Sequence, residues 1–211
     1  MQEKMIDIIK SVLEESPKRN FLESVEIAVN LRDVDMNLPK NRIDEEVLLP
    51  KGRGKKQKIA VFGSDELAVK AKECADTVIP PEEIEELRKN KKKAKEIART
   101  HSFFLASAPL MPVIGKNLGV VLGPRGKMPK PIPPNADPKP IVENLRNSVR
   151  IRSKSSLTFH VPVGTRDMSP EDIEANIKAV LKRVVSRLER GEQNIKSIYI
   201  KTTMGKARRL R

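Results

Sequence analysis

Apolar residues recur at helical spacing through Met5, Ile8, Ile9, Val12 and Leu13, and Ser16-Pro17 brings that helix to a stop. The period then changes. Val25, Ile27, Val29 and Leu31 alternate with partly polar neighbours, the pattern of a strand buried on one face. A short strand is predicted through Val47-Leu48-Leu49, ending in Pro50-Lys51-Gly52-Arg53-Gly54, a basic joint with two glycines. Beyond it the texture differs. Residues 58–62, 77–79 and 103–106 are continuous apolar runs. Helices are expected from Asp65 to about Ala75, from Pro80-Pro81-Glu82-Glu83 onward, over 110–118 and over 140–147. Val120-Val121-Leu122 reads as one more strand. Apolar strands alternating with helices indicate a parallel sheet covered on both faces.

After Ser148 the alternating texture returns, with strands expected over 149–153 and 157–163. Ser169-Pro170-Glu171-Asp172 then opens a long helix, with Ser169 as its N-cap and Pro170 in the first helical position. Its apolar stripe is Ile173, Ile177, Val180, Leu181, Val184 and Leu188; Gly191 ends it, and 195–201 is a final strand. Neither end of the chain has enough elements for a core of its own. Together they make one two-layer α+β domain. The expected fold is therefore mixed α/β and α+β. A split domain of residues 1–52 and 150–211 carries an inserted three-layer, Rossmann-like α/β domain, residues 53–149.

Charge narrows the function. The 42 Lys and Arg outnumber 28 Asp and Glu, leaving a net +14 that points to a polyanionic partner, most often nucleic acid. The imbalance is local as well as global. No acid lies between Glu96 and Asp137, a stretch holding Arg99, Lys116, Arg125, Lys127 and Lys130, and none follows Glu192. Arg125, Lys127 and Lys130 fall in a Gly/Pro-rich loop that could face phosphates, or could be a turn whose cations only keep it soluble. A 38% apolar content supports packed cores rather than disorder. The acidic start without an apolar run behind it does not read as a signal peptide, and no window approaches the ~18 apolar residues of a membrane span. A soluble, intracellular protein is expected.

Catalytic chemistry has little to build on. With His101 and His160 the only histidines and Cys74 the only cysteine, neither a His-rich metal site nor a Cys cluster is available. Cys74 reads as a buried small hydrophobe and both histidines as structural. Gly52-Arg53-Gly54-Lys55 and Gly123-Pro124-Arg125-Gly126-Lys127 lack the spacing of a phosphate-cradling loop. The basic run from Lys89 to Lys95 lies on a helix that begins with glutamates, so a solvated face competes with an RNA patch. Aromatic residues are scarce: five Phe, one Tyr, no Trp. Single-strand binders stack bases on aromatic platforms, so a basic chain without them should read folded RNA through backbone, 2′-hydroxyls and shape. Lys201-Thr202-Thr203-Met204-Gly205-Lys206 supplies hydroxyls and a glycine for such contacts.

Four segments carry a resemblance. Arg19-Asn20-Phe21-Leu22-Glu23-Ser24-Val25-Glu26, Leu49-Pro50-Lys51-Gly52-Arg53-Gly54-Lys55, Leu122-Gly123-Pro124-Arg125-Gly126-Lys127-Met128-Pro129 and Tyr199-Ile200-Lys201-Thr202-Thr203-Met204-Gly205 occur in this order. Together they resemble the ribosomal protein L-one family in its archaeal form, over essentially the whole chain. The resemblance implies a cytoplasmic protein of the large subunit's mobile stalk, monomeric off the ribosome, that binds large-subunit rRNA. It further implies help in releasing E-site tRNA and repression of its own operon mRNA, with no catalysis, cofactor, metal, membrane or small-molecule substrate. The RNA surface it implies comprises Phe21, Ser24, Ser197, Thr203, Met204 and Gly205. Arg19 compensates for Asn20, where the family frequently has a basic residue, and Arg208 is expected on a phosphate. Gly52 and Gly54, with Val149 on the returning strand, are expected to form a hinge between domains. The alternative class is a nucleotide-dependent enzyme using the inserted domain.

Overall fold

The computed structural model describes residues 2–133 and 136–211; Met1, Pro134 and Asn135 lie outside the described residues. The chain is a mixed α/β protein. In order it forms α1 (Gln2–Glu15), β1 (Ser24–Leu31), β2 (Asp44–Leu48), β3 (Ile59–Phe62), α2 (Asp65–Cys74), β4 (Thr77–Ile79), α3 (Pro81–Lys89) and α4 (Lys91–Thr100). There follow β5 (Phe103–Ser107), α5 (Met111–Leu122), β6 (Lys130–Ile132), α6 (Lys139–Arg146), β7 (Ser148–Arg152), β8 (Thr158–Thr165), α7 (Pro170–Arg187), β9 (Ile195–Thr202) and β10 (Arg208–Arg209). It divides into two compact units, one of Met1–Lys55 with Asn147–Arg211, the other of Lys56–Arg146.

In the first unit β1 lies between β8 and β9, antiparallel to both, and β10 extends the sheet beyond β9. The alternation seen in the sequence is the alternation of faces. Val25, Ile27, Val29 and Leu31 are buried with Ile9 and Val12 of α1 and Ile173, Ile177, Val180 and Val184 of α7. The opposite face carries Glu26, Ala28 and Asn30 beside Lys201, Tyr199 and Ser197 of β9, and is partly open. A two-stranded ribbon, β2 with β7, completes the unit. The Ser169 hydroxyl accepts from Asp172 N–H at 3.1 Å, so the N-cap anticipated for α7 is made.

Asn176, fully buried on α7, ties the joint down. Its carboxamide accepts from Lys51 N–H at 3.1 Å and donates to Gly52 O and Val163 O, both at 2.8 Å. Gly54 has φ +76°, and a side chain there would overlap Thr165 Oγ1 and stand 3.0 Å from Met168 Sδ. The two glycines therefore turn a loop that is fixed to the first unit. Val149 lies inside β7 opposite Val47 and is buried in the core of the first unit. The chain leaves the first unit after Lys55 and re-enters it at Asn147.

In the second unit four parallel strands run in the order β4-β3-β5-β6. One face buries Ala60, Phe62, Phe104 and Ala106 under side chains of α3, α4 and α5; the other buries Ile59, Val61, Leu105 and Ile132 with α2 and α6. Two expectations need correction. Residues 120–122 are the last turn of α5, not a strand: Leu118, Val121 and Leu122 face the core while Val120 is 82% exposed, the spacing of a helix. The strand beside β5 is instead Lys130-Pro131-Ile132, where proline is tolerated because the strand is at the edge. The helix drawn through the Lys89–Lys95 run is also broken, since Asn90 ends α3 and caps α4 by accepting from Lys93 N–H at 3.1 Å.

Replacing Asn176 by Ala leaves Gly52 O, Val163 O and Lys51 N–H without their partner. We expect a loss of about 1–3 kcal/mol in the stability of the first unit, measured by urea denaturation. Unchanged stability would mean that water replaces the side chain and that the joint is not fixed by it.

Candidate nucleic-acid interface

The anticipated residues gather where the end of α1, the entry to β1 and the β9–β10 turn meet. Two clefts open there. One, of about 750 Å³, is lined by Ser16, Pro17, Arg19, Met204, Gly205 and Arg208 among others. The other, of about 420 Å³, is lined by Arg19, Asn20, Phe21, Glu23 and Arg166 among others, so Arg19 borders both. Met204 is 62% exposed and Phe21 53%, large apolar side chains left in water beside cations. Phe62, Phe104 and Phe159, by contrast, are core residues, and Phe103 is half-buried.

The turn itself is rigid for local reasons. Thr203 N–H donates to Ser24 O at 3.0 Å, Ser24 N–H donates to Thr203 Oγ1 at 3.1 Å, and the Thr203 hydroxyl donates back to Ser24 O at 3.2 Å. Met204 N–H donates to Glu23 Oε1 at 3.0 Å. Glu23 is 1% exposed, and Arg166 lies 3.7 Å from its other oxygen. Arg166 in turn donates to Pro17 O at 2.7 Å, Ser16 O at 2.6 Å and Leu13 O at 3.3 Å, capping the C-terminus of α1. One ion pair thus joins α1, β1 and the β9–β10 turn.

This geometry changes what several residues can do. A hydroxyl offers one donor and two acceptor lone pairs. Thr203 has committed its proton and one lone pair, so toward RNA it can only accept, as from a 2′-hydroxyl. Gly205 is required by packing: a Cβ would overlap Thr202 Oγ1 and lie 2.6 Å from Ser16 Oγ, two buried hydroxyls themselves 2.6 Å apart. Close contact with Ser16 and Thr202 is by itself enough to require glycine at this position. Ser24 accepts from Lys55 Nζ at 3.3 Å, and that ammonium also bonds Leu22 O. Arg208 is paired with Glu15. Ser197 stands apart. It is buried, accepts from Asn30 Nδ2 at 2.8 Å, and lies six residues along β9 from Thr203, about 20 Å at strand rise. Glu26, Tyr199 and Lys201, on the open face between these points, were passed over in the sequence. Their signal was the polar half of the alternation.

The loop of the second unit is less available than its charge suggested. Arg125 Nη1 donates to Val121 O at 2.9 Å, capping α5. Lys127 Nζ donates to Ala98 O at 2.8 Å and His101 O at 2.6 Å, closing the end of α4. Burial, with Arg125 adding to it, holds the Lys127 pKa below the ordinary lysine value. Lys130 is exposed at the start of β6. His101 uses both ring nitrogens, on Ile97 O at 3.0 Å and Thr77 Oγ1 at 2.9 Å, a structural role. Cys74 is half-buried, and burial pushes its thiol pKa up, the opposite direction from that of a reactive thiolate. Among the described residues no group of His, Cys, Asp or Glu could hold a metal ion, and no helix is long and apolar enough to cross a membrane.

Clefts bordered by cations and by exposed apolar side chains suit a nucleic-acid partner. Comparison with known proteins makes the assignment specific. The model of the ribosomal protein L1p/L10e family matches residues 12–206, and the chain belongs to that family. It is 59% identical over 199 residues to large ribosomal subunit protein uL1 of Thermoplasma acidophilum, covering 94% of this chain and 92% of that protein. The uL1 protein of Archaeoglobus fulgidus is 52% identical over 210 residues, covering 99% and 98%. That of Methanosarcina acetivorans is 49% identical over 211 residues, covering 100% and 99%. These organisms are archaea, in agreement with the archaeal form inferred from the motifs. The family is one of ribosomal proteins and not of enzymes, which sets aside the nucleotide-dependent alternative.

Two substitutions separate packing from binding. Gly205→Ala should cost about 1–3 kcal/mol through overpacking, and Ser16→Ala in the same chain should recover part of it. No recovery would place the strain elsewhere. Lys127→Met should cost roughly 1–3 kcal/mol by leaving Ala98 O and His101 O unsatisfied, with amide exchange accelerated at the end of α4. A protein of unchanged stability and exchange would return Lys127 to the role of a free surface cation.

Proposed function

We propose that this chain is a structural constituent of the large ribosomal subunit that binds large-subunit rRNA directly at the mobile stalk, in the cytoplasm. It assists release of E-site tRNA and represses translation by binding its own operon mRNA. The observation that carries the reading is the conjunction of near full-length identity to large-subunit uL1 proteins with a braced turn at Thr203-Met204-Gly205. We read residues 1–52 and 150–211 as one split two-layer α+β domain that holds the main RNA surface. Residues 53–149 form an inserted Rossmann-like domain. Bending between them falls at the crossings beside Lys55 and Asn147 rather than at Gly52, Gly54 or Val149. The action on tRNA and on mRNA rests on the family resemblance alone, and the Arg125–Lys130 loop contributes less to it than its charge suggested.

Arg19 neutralises phosphate, and Met204 and Phe21 pack against sugar and base in the flanking clefts. These contributions differ in their response to salt. Each phosphate contact adds a fixed slope to the dependence of log K on log salt, whereas apolar contact adds none. Replacing Arg19 by Gln should weaken binding to a large-subunit rRNA fragment and make that slope shallower by roughly 0.7–0.9. Met204→Ala and Phe21→Ala should weaken binding at every salt concentration with the slope unchanged. If both apolar variants bind as the wild type does, the clefts are not the RNA surface.

A further inference from the structure

Arg53 is the middle residue of a loop held from both sides. Gly52 and Gly54 flank it with φ of +64° and +76°, and Asn176 fixes Gly52 O to α7. Arg53 is half-buried, so its guanidinium has lost part of its water. Its Nε is enclosed without a hydrogen-bond partner, and among the described residues no carboxylate or carbonyl meets the group. The amides of Arg53 and Gly54 likewise find no acceptor among the described residues. Lys51 does not share this condition, because its ammonium lies 3.2 Å from Asp172.

An arginine that is desolvated and unpaired destabilises the chain that carries it, since the lost hydration is not offset by a counter-charge. A loop with two left-handed glycines is also a costly way to expose amides. Both costs are recovered together if an anion docks there. Successive free amides in a turn form a concave anion seat, and a guanidinium presents a planar fork suited to two oxygens of one phosphate. We propose that the Gly52-Arg53-Gly54 loop is a preformed site for a single phosphodiester of the bound RNA, separate from the clefts around Arg19. Burial also pushes the Arg53 pKa below the ordinary arginine value, which agrees with a charge waiting for its partner. The source of the phosphate rests on the rRNA-binding reading; the anion site itself does not.

The test has three arms on the full chain. In a buffer free of phosphate, Arg53→Met should raise the midpoint of thermal unfolding by about 2–4 °C, because it removes an unpaired charge. Inorganic phosphate should stabilise the wild type beyond chloride at equal ionic strength, and this excess should vanish in Arg53→Met. With an rRNA fragment, the variant should bind more weakly, with a log K–log salt slope shallower by roughly 0.7–0.9. A variant that melts lower than wild type, or that keeps the phosphate excess, overturns the site. Loss of the phosphate excess with an unchanged RNA slope overturns RNA as the source. If the wild type binds no rRNA at all, the functional reading fails while the first two arms still decide the fate of Arg53.

Discussion

The first unit depends on a buried carboxylate. Glu23 precedes β1 and is enclosed almost completely, a position that costs several kcal/mol for an unpaired charge and persists only when neighbours answer it. Arg166 answers part of it from the end of β8, and Met204 N–H answers another part from the far end of β9. Arg166 also satisfies one carbonyl in the last turn of α1, that of Leu13, and those of Ser16 and Pro17 just beyond it. Segments separated by most of the chain must therefore be in place before this charge is tolerable. That requirement couples closure of the β1–β8–β9 sheet to the shape of the turn that presents Met204, so fold and candidate site share one interaction.

Net charge proved a reliable guide to the kind of partner and an unreliable guide to place. The acid-free stretch after Glu96 is the longest in the chain, yet Arg125 and Lys127 turn inward to cap helix ends. Two helices finish beside that loop, and helix C-termini carry a partial negative charge that cations near them offset. The absence of acids there follows from this local need as readily as from any polyanion. Arg19, a few residues from Glu15 and Glu23, and Arg53, within the basic joint, both lack carboxylate partners among the described residues. A cation left unanswered by its own fold is the better sign of a ligand than a long stretch without acids.

Much of the fold could be read from periodicity because most elements bury one definite face. β1 alternates and α7 runs at a period of 3.6, so each declares both its type and its orientation. Reading failed where burial is weak or the segment short. Val120-Val121-Leu122 offers three apolar residues, too few to separate a strand from the last turn of a helix. β6 is a three-residue edge strand with Lys130 and Pro131 in it, and nothing in its pattern marks it. The break at Asn90 was hidden because lysines on either side fit one continuous helix. The candidate site was legible as a set of residues through resemblance, but their individual roles were not. The roles of Thr203 and Gly205 depend on Ser24, Ser16 and Thr202, which approach only in three dimensions.

Rigidity gives the site its character. Ordering a flexible loop on binding costs free energy that the contacts must then exceed. The β9–β10 turn has no such disorder to remove, since Thr203, Met204 and Gly205 are each secured through backbone or hydroxyl bonds. What remains for a partner is one lone pair on Thr203, the exposed side chains of Met204 and Phe21, and the charge of Arg19. None of these distinguishes one base from another by a donor and acceptor code. A surface of that kind discriminates by whether an RNA can place a 2′-hydroxyl, an apolar face and a phosphate at those positions simultaneously. Folded RNA with splayed or irregular backbone can meet this condition, whereas a uniform helix presents the same groups at a fixed and different spacing. The poverty of aromatic residues noted in the sequence thus has a structural counterpart in a candidate surface whose one exposed phenylalanine is Phe21.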